Sequence, residues 1–133
     1  MNKIIIFSVL GLAIVAIALS FVFGSKIVPA VTVSDQVIRD GQVFVSQAVA
    51  LAPSWLVIQT ETNGVPGPVI GFVKLNKGEN NNVSVKIDVE KSTPKLFAMI
   101  HEDDGKKDNF DFPDNDMPLI YNNDIVSKMF LAN

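Results

Sequence analysis

The stretch Asn82-Val83-Ser84-Val85-Lys86-Ile87-Asp88-Val89-Glu90 alternates throughout, with aliphatic side chains at 83, 85, 87 and 89 and polar ones between them. A period of two puts the aliphatic set on one side of an extended chain and the polar set on the other. The stretch therefore predicts a strand with one buried and one wetted face. Working outward, Ala30 to Ser34, Gln42 to Leu51, Trp55 to Thr60, Val69 to Leu75, Lys95 to His101 and Ser127 to Ala132 are also rich in β-branched or aromatic residues. Between them stand turn signals: Asp40-Gly41, Asn63-Gly64 with Pro66-Gly67-Pro68, Lys77-Gly78 and Thr93-Pro94. About seven short strands with polar turns, and no amphipathic helical stretch among them, predict an all-β fold. The expected form is an antiparallel β-sandwich of immunoglobulin-like or cupredoxin-like outline. Trp55, the single tryptophan, reads as a core residue. Asn82-Val83-Ser84 also fits a glycosylation sequon, although a strand is a poor place for one.

The amino terminus follows a different rule. Ile4 to Gly24 contains no charge and is flanked by Lys3 and Lys26. As a helix, its 21 residues at about 1.5 Å each would reach roughly 31 Å, the hydrocarbon thickness of a bilayer. Residues 1–26 are thus expected to be a transmembrane anchor or signal peptide, and 27–133 an exported domain. A secretory signal usually has a shorter apolar core, which favours the anchor, while Val28-Pro29-Ala30 loosely resembles a cleavage site. Ala16, Ser20 and Gly24, four apart, would present small side chains on one helix face where a second membrane helix can approach. Only Ser8 and Ser20 are polar within the span, so no ion pathway is expected.

Composition narrows the function. The chain has 133 residues, with 14 Asp and Glu against 11 Lys and Arg, and every carboxylate follows the apolar stretch. No basic stripe exists to meet a phosphate backbone, so nucleic acid is not an expected partner. The absence of cysteine removes disulfides, thiol catalysis and cysteine-held metal or haem. Stability has to come from packing, a cation or a neighbouring protein.

Half of the carboxylates fall between His101 and Pro118. Crowding of like charge is unfavourable unless something positive offsets it. Asp103, Asp104, Asp108, Asp111, Asp114 and Asp116 are accordingly candidate ligands for calcium, a hard cation that takes six to eight oxygens. The alternative is a solvated acidic loop partly neutralised by Lys106 and Lys107. The spacing lacks the sixth-position glycine and twelfth-position glutamate of the helix-loop-helix calcium motif. His101, the only histidine, is expected to fix the start of the loop by a hydrogen bond, since one histidine cannot build a copper site and makes a poor zinc site. No nucleophile elbow or cleft-borne acid pair is present, so catalysis is not expected.

The order of motifs adds a resemblance. Asp35-Gln36, Trp55-Leu56-Val57-Ile58, Gly67-Pro68-Val69-Ile70-Gly71, Leu75-Asn76-Lys77-Gly78, Ala98-Met99-Ile100-His101-Glu102-Asp103, Phe110-Asp111-Phe112-Pro113 and Asp116-Met117-Pro118 follow one another in this chain. In that order they resemble an uncharacterised family of exported all-β domains of archaea and some bacteria, usually found behind a signal or anchor. The resemblance runs from Val31 to the end. It implies fold and export and no activity; Phe110 and Phe112, like His101 and Trp55, are expected to be structural.

The expected function is therefore non-catalytic. A membrane-held extracytoplasmic sandwich would contact lipid through its anchor and associate with other subunits or with itself, as an accessory subunit of a membrane complex or in a cell-surface assembly. Ala30 to Ser34 is a candidate donor strand for a neighbour's sheet edge. The alternative is a secreted calcium- or ligand-binding module using loop 101–118. A pilin-like subunit is disfavoured by Pro29, which breaks the helix before the strands.

Overall fold

The computed structural model describes residues 26–105 and 109–133. The expected anchor, apart from Lys26, lies outside the described residues, and so do Ala16, Ser20, Gly24 and Asp108. Among the described residues no helix is long and apolar enough to cross a membrane.

The described residues form an all-β fold, built as antiparallel sheets. Strands β1 (Ala30–Thr32), β2 (Gln42–Ala50) and β5 (Gly78–Lys86) form one sheet in the order β1-β2-β5. Strands β3 (Ser54–Thr62), β4 (Val65–Leu75), β6 (Lys95–Glu102) and β9 (Ser127–Leu131) form the second, in the order β4-β3-β6-β9. A small hairpin, β7 (Ile120–Tyr121) with β8 (Asp124–Ile125), precedes β9. The two larger sheets share one apolar core: Val43, Val45 and Val85 from the first meet Leu56, Ile58, Leu96, Ile100 and Phe130 from the second. Such side chains stabilise by about 1.5–3 kcal/mol each when fully buried, which lets a cysteine-free domain stand on packing.

The alternating stretch holds its promise only in part. Val85 and Ile87 are buried, but Asn82 has φ +53° and Val89 is half exposed in a 3₁₀ turn, Val89–Lys91. The strand ends at Lys86 because its partner runs out: Lys86 faces Gln42, the first residue of β2, and the Asp40-Gly41 turn precedes it. The hairpin β7–β8 was not expected. Its Asn122-Asn123 turn has φ +51° and +68°, the left-handed pair that a two-residue hairpin requires and that asparagine tolerates.

The first segment changes sheets. Ala30–Thr32 pairs antiparallel with β2, after which Gln36 bridges in parallel to Ala132, beyond the end of β9. The segment expected to be a donor strand is therefore paired within its own chain. Where β1 leaves, the Gln36 side chain takes its place on β2, accepting from the Phe44 N–H at 2.8 Å and donating to the Phe44 carbonyl at 2.9 Å. The outer edges are blunted in other ways. β4 carries Pro66 and Pro68, and β9 places Lys128 opposite Ala98, whose side chain is in the core.

Candidate functional site

β6 carries His101 to one end of the sheet, where it pairs with Trp55 of β3. Both residues point away from the inter-sheet core, because Leu56 and Ile100, the adjacent positions, fill it. Trp55 was expected in the core. It is buried, but on the outer face, in an aromatic nest of its own.

The nest is closed by the chain that follows β6. Phe110 lies 5.7 Å from Trp55 and 5.5 Å from His101, and Phe112 lies 4.8 Å from His101. Phe72 of β4 completes it at 5.8 Å from Trp55 and 4.8 Å from Phe110. Edge-to-face contacts of this kind each contribute about 0.5–1.5 kcal/mol beyond area burial. Lys74 Nζ stands 4.4 Å over the Trp55 ring and reaches on to the Asp103 carboxylate, so one cation joins the nest to the acidic loop.

His101 Nδ1–H donates to the Asp116 carbonyl at 2.7 Å. A carbonyl can only accept, which fixes the neutral tautomer and leaves Nε2 as a bare acceptor. Among the described residues Nε2 has no partner. Burial pushes the imidazole below its ordinary 6.5, against the Asp116 carbonyl and charge, which favour the proton. The unfolded chain therefore takes up this proton first as pH falls. The stability that neutral His101 lends is complete above pH 6.5 and is lost as pH falls from 6.5 through the lower folded value. Thermal melts from pH 7.5 to 5 are expected to show a falling Tm, and His101→Phe, though less stable throughout, a flat one. An equal slope in both proteins would remove His101 from this role.

Asp116 organises the loop. It is 1 % exposed, with φ +46°. One carboxylate oxygen accepts the Asp104 N–H at 2.9 Å and the other accepts the Asp111 N–H at 3.0 Å. Burial opposes its charge, but the hydrogen bonds from Asp104 and Asp111 outweigh that and hold the carboxyl below its ordinary value. Asp103 is also held low, first by Lys74 and then by the Gly105 N–H, which donates at 3.0 Å. Asp111 in turn accepts from Asn115 at 2.7 Å.

Of the six expected ligands, the fold gathers three: oxygens of Asp103, Asp104 and Asp116 lie within 4.8 Å of one another. Asp111 is joined to them through its backbone, and exposed Asp114 stands in the same cleft wall. That cleft, of about 490 Å³, runs between Leu51-Ala52-Pro53 and the loop, and Glu102 and Leu119 also line it. Backbone N–H groups and Lys74 supply the positive partners among the described residues, while Lys106 and Lys107, the partners expected, lie outside them. Lys74 was not among the expected site residues. Its role depends on the register Trp55↔Lys74, which strand patterning does not reveal.

A family model described as a domain of unknown function, DUF7282, matches residues 29–131. The chain belongs to DUF7282. The DUF7282 region takes in every strand, the aromatic nest and the acidic loop, and Ile4–Gly24 lies before it. No curated protein and no solved structure matches the chain.

Proposed function

We propose that this DUF7282 chain is a non-catalytic, membrane-anchored extracytoplasmic module that associates with other protein subunits or with its own copies through the outer face of the four-stranded sheet. One observation carries the reading. On that face Phe72, at the rim of the aromatic nest on edge strand β4, is 49 % exposed, and on the opposite edge strand β9 Met129 and Leu131 are 46 % and 44 % exposed, with half-buried Phe97 of β6 beside Met129. Aromatic and methionine side chains left exposed on one sheet face are of the types enriched at contact surfaces. The chemistry nearby supports a passive role. The single histidine is buried and committed, and Asp103 and Asp116 are held ionised, so neither donates a proton near neutral pH. The strand order, three against four with the chain crossing to the other sheet at Gln36 after β1, favours the immunoglobulin-like outline over the cupredoxin-like one.

A photo-crosslinking residue at Phe72 of the full chain, activated in membranes of cells expressing it, is expected to give a discrete adduct. The same group at Ser84, on the outer face of the other sheet, is expected to give none. Adducts at neither position, or equally at both, would contradict the reading.

The three gathered carboxylates favour a second reading, calcium binding at the loop. It predicts a rise in Tm at millimolar calcium that Asp104→Asn abolishes, and an unchanged Tm would end it.

A further inference from the structure

We propose that one corner of the sandwich, formed by residues 26–29 and the β7–β8 hairpin, rests in the interfacial layer of a bilayer with neutral headgroups. The inference depends on the anchored reading above. β1 starts at Ala30, opposite Val49 near the end of β2, so the chain enters beside the Leu51-Ala52-Pro53 loop. β1 lies against β9. The hairpin emerges immediately before β9, tied to the end of β6 by Leu119 N–H donating to the Ile100 carbonyl at 2.9 Å and Ile100 N–H donating to the Val126 carbonyl at 3.0 Å. Leu51 and Leu119 line the same cleft, so both features share one end and one edge.

Four exposed apolar side chains stand at that corner. Ile120 is 65 % exposed, Val28 56 %, Met117 52 % and Ile125 48 %. Ile120 and Ile125 are cross-strand partners and so face the same way. Tyr121, the only tyrosine, sits between them and the turn, and rings of that kind favour the headgroup level. The chain before the corner supplies the occupant. From Gly24, where the uncharged stretch ends, to Ala30 is six residues, at most about 21 Å. A tether this short holds the hairpin near lipid at high effective concentration, so a weak apolar contact suffices. Glu102, Asp104, Asp114 and Asp124 are exposed at this end, and their charge selects neutral over anionic headgroups.

The natural chain has no cysteine, so single probes can be placed cleanly. The full chain, with a fluorophore at Met117→Cys or at Val65→Cys on the opposite end, is reconstituted in phosphatidylcholine vesicles bearing doxyl-labelled acyl chains. After flotation, the Met117 probe is expected to be quenched several-fold more than the Val65 probe. Adding Ile120→Ser and Ile125→Ser, both at exposed positions, is expected to reduce its quenching to the Val65 level. Floated protein with an unquenched Met117 probe, or with quenching unaffected by the serines, would overturn the docking and leave the anchor standing. Protein that fails to float would overturn both.

Discussion

Asp116→Asn is expected to lower stability by about 2–4 kcal/mol, which for a domain of this size is a fall in Tm on the order of 10 °C. An asparagine keeps the volume and tolerates φ +46°. It cannot keep both hydrogen bonds. One carboxylate oxygen becomes an NH₂ group and faces the N–H of Asp104 or Asp111, donor against donor, at a site 1 % exposed. Hydrogen bonds to a charged group contribute about 1.5–3 kcal/mol each, and an orphaned buried donor costs a similar amount. Asp114→Asn, two residues away and exposed, is the control and should stay within about 0.5 kcal/mol of the natural chain. Calorimetric melts of both variants decide the point. Equal, small effects would show that the loop is a solvated acidic segment without an organiser.

The second large effect is expected at Gly71. A Cβ there would meet the Lys86 carbonyl oxygen at 2.3 Å and Ile87 Cγ2 at 2.9 Å. The obstacle is backbone, and Asp88 N–H donating to the Ile70 carbonyl at 2.8 Å pins the two chains together at that crossing. Gly71→Ala must therefore separate β4 from the end of β5, at a cost of about 2–4 kcal/mol by denaturant melts. Gly64→Ala isolates the other way a glycine matters. Its φ is +83° with nothing within 4 Å, so only the left-handed backbone is penalised, at about 1–2 kcal/mol. If the two variants lose the same amount, the close crossing does not govern the sheet-to-sheet spacing.

Strand identity was largely legible because β-branched residues at period two leave few alternatives, and Val83 to Lys86 shows it. What failed was whatever depended on a partner. Val89 continues the pattern but has no strand to pair with, since β2 begins at Gln42. The β7–β8 hairpin is too short for a periodic signal, and its asparagine pair is a weaker turn mark than Asn-Gly. In the acidic loop the composition was visible and the hierarchy was not. Asp114 and Asp116 are the same residue type two positions apart, one exposed and one buried, and only the folding of Asp104 and Asp111 around the second separates them. Trp55 was legible as buried, but its side of the sheet is set by Phe72, Lys74 and Phe110, which reach it from three different segments.

The anchored reading and the docked corner both depend on the uncharged leader holding the domain at the outside of a membrane. The direct measurement labels Val65→Cys with a membrane-impermeant maleimide in intact cells, followed by alkaline carbonate extraction of their membranes. The account predicts that the thiol reacts without lysis and that the labelled chain stays with the membrane pellet. A thiol that reacts only after lysis, or a chain that keeps its leader and is recovered in the soluble fraction, would contradict it.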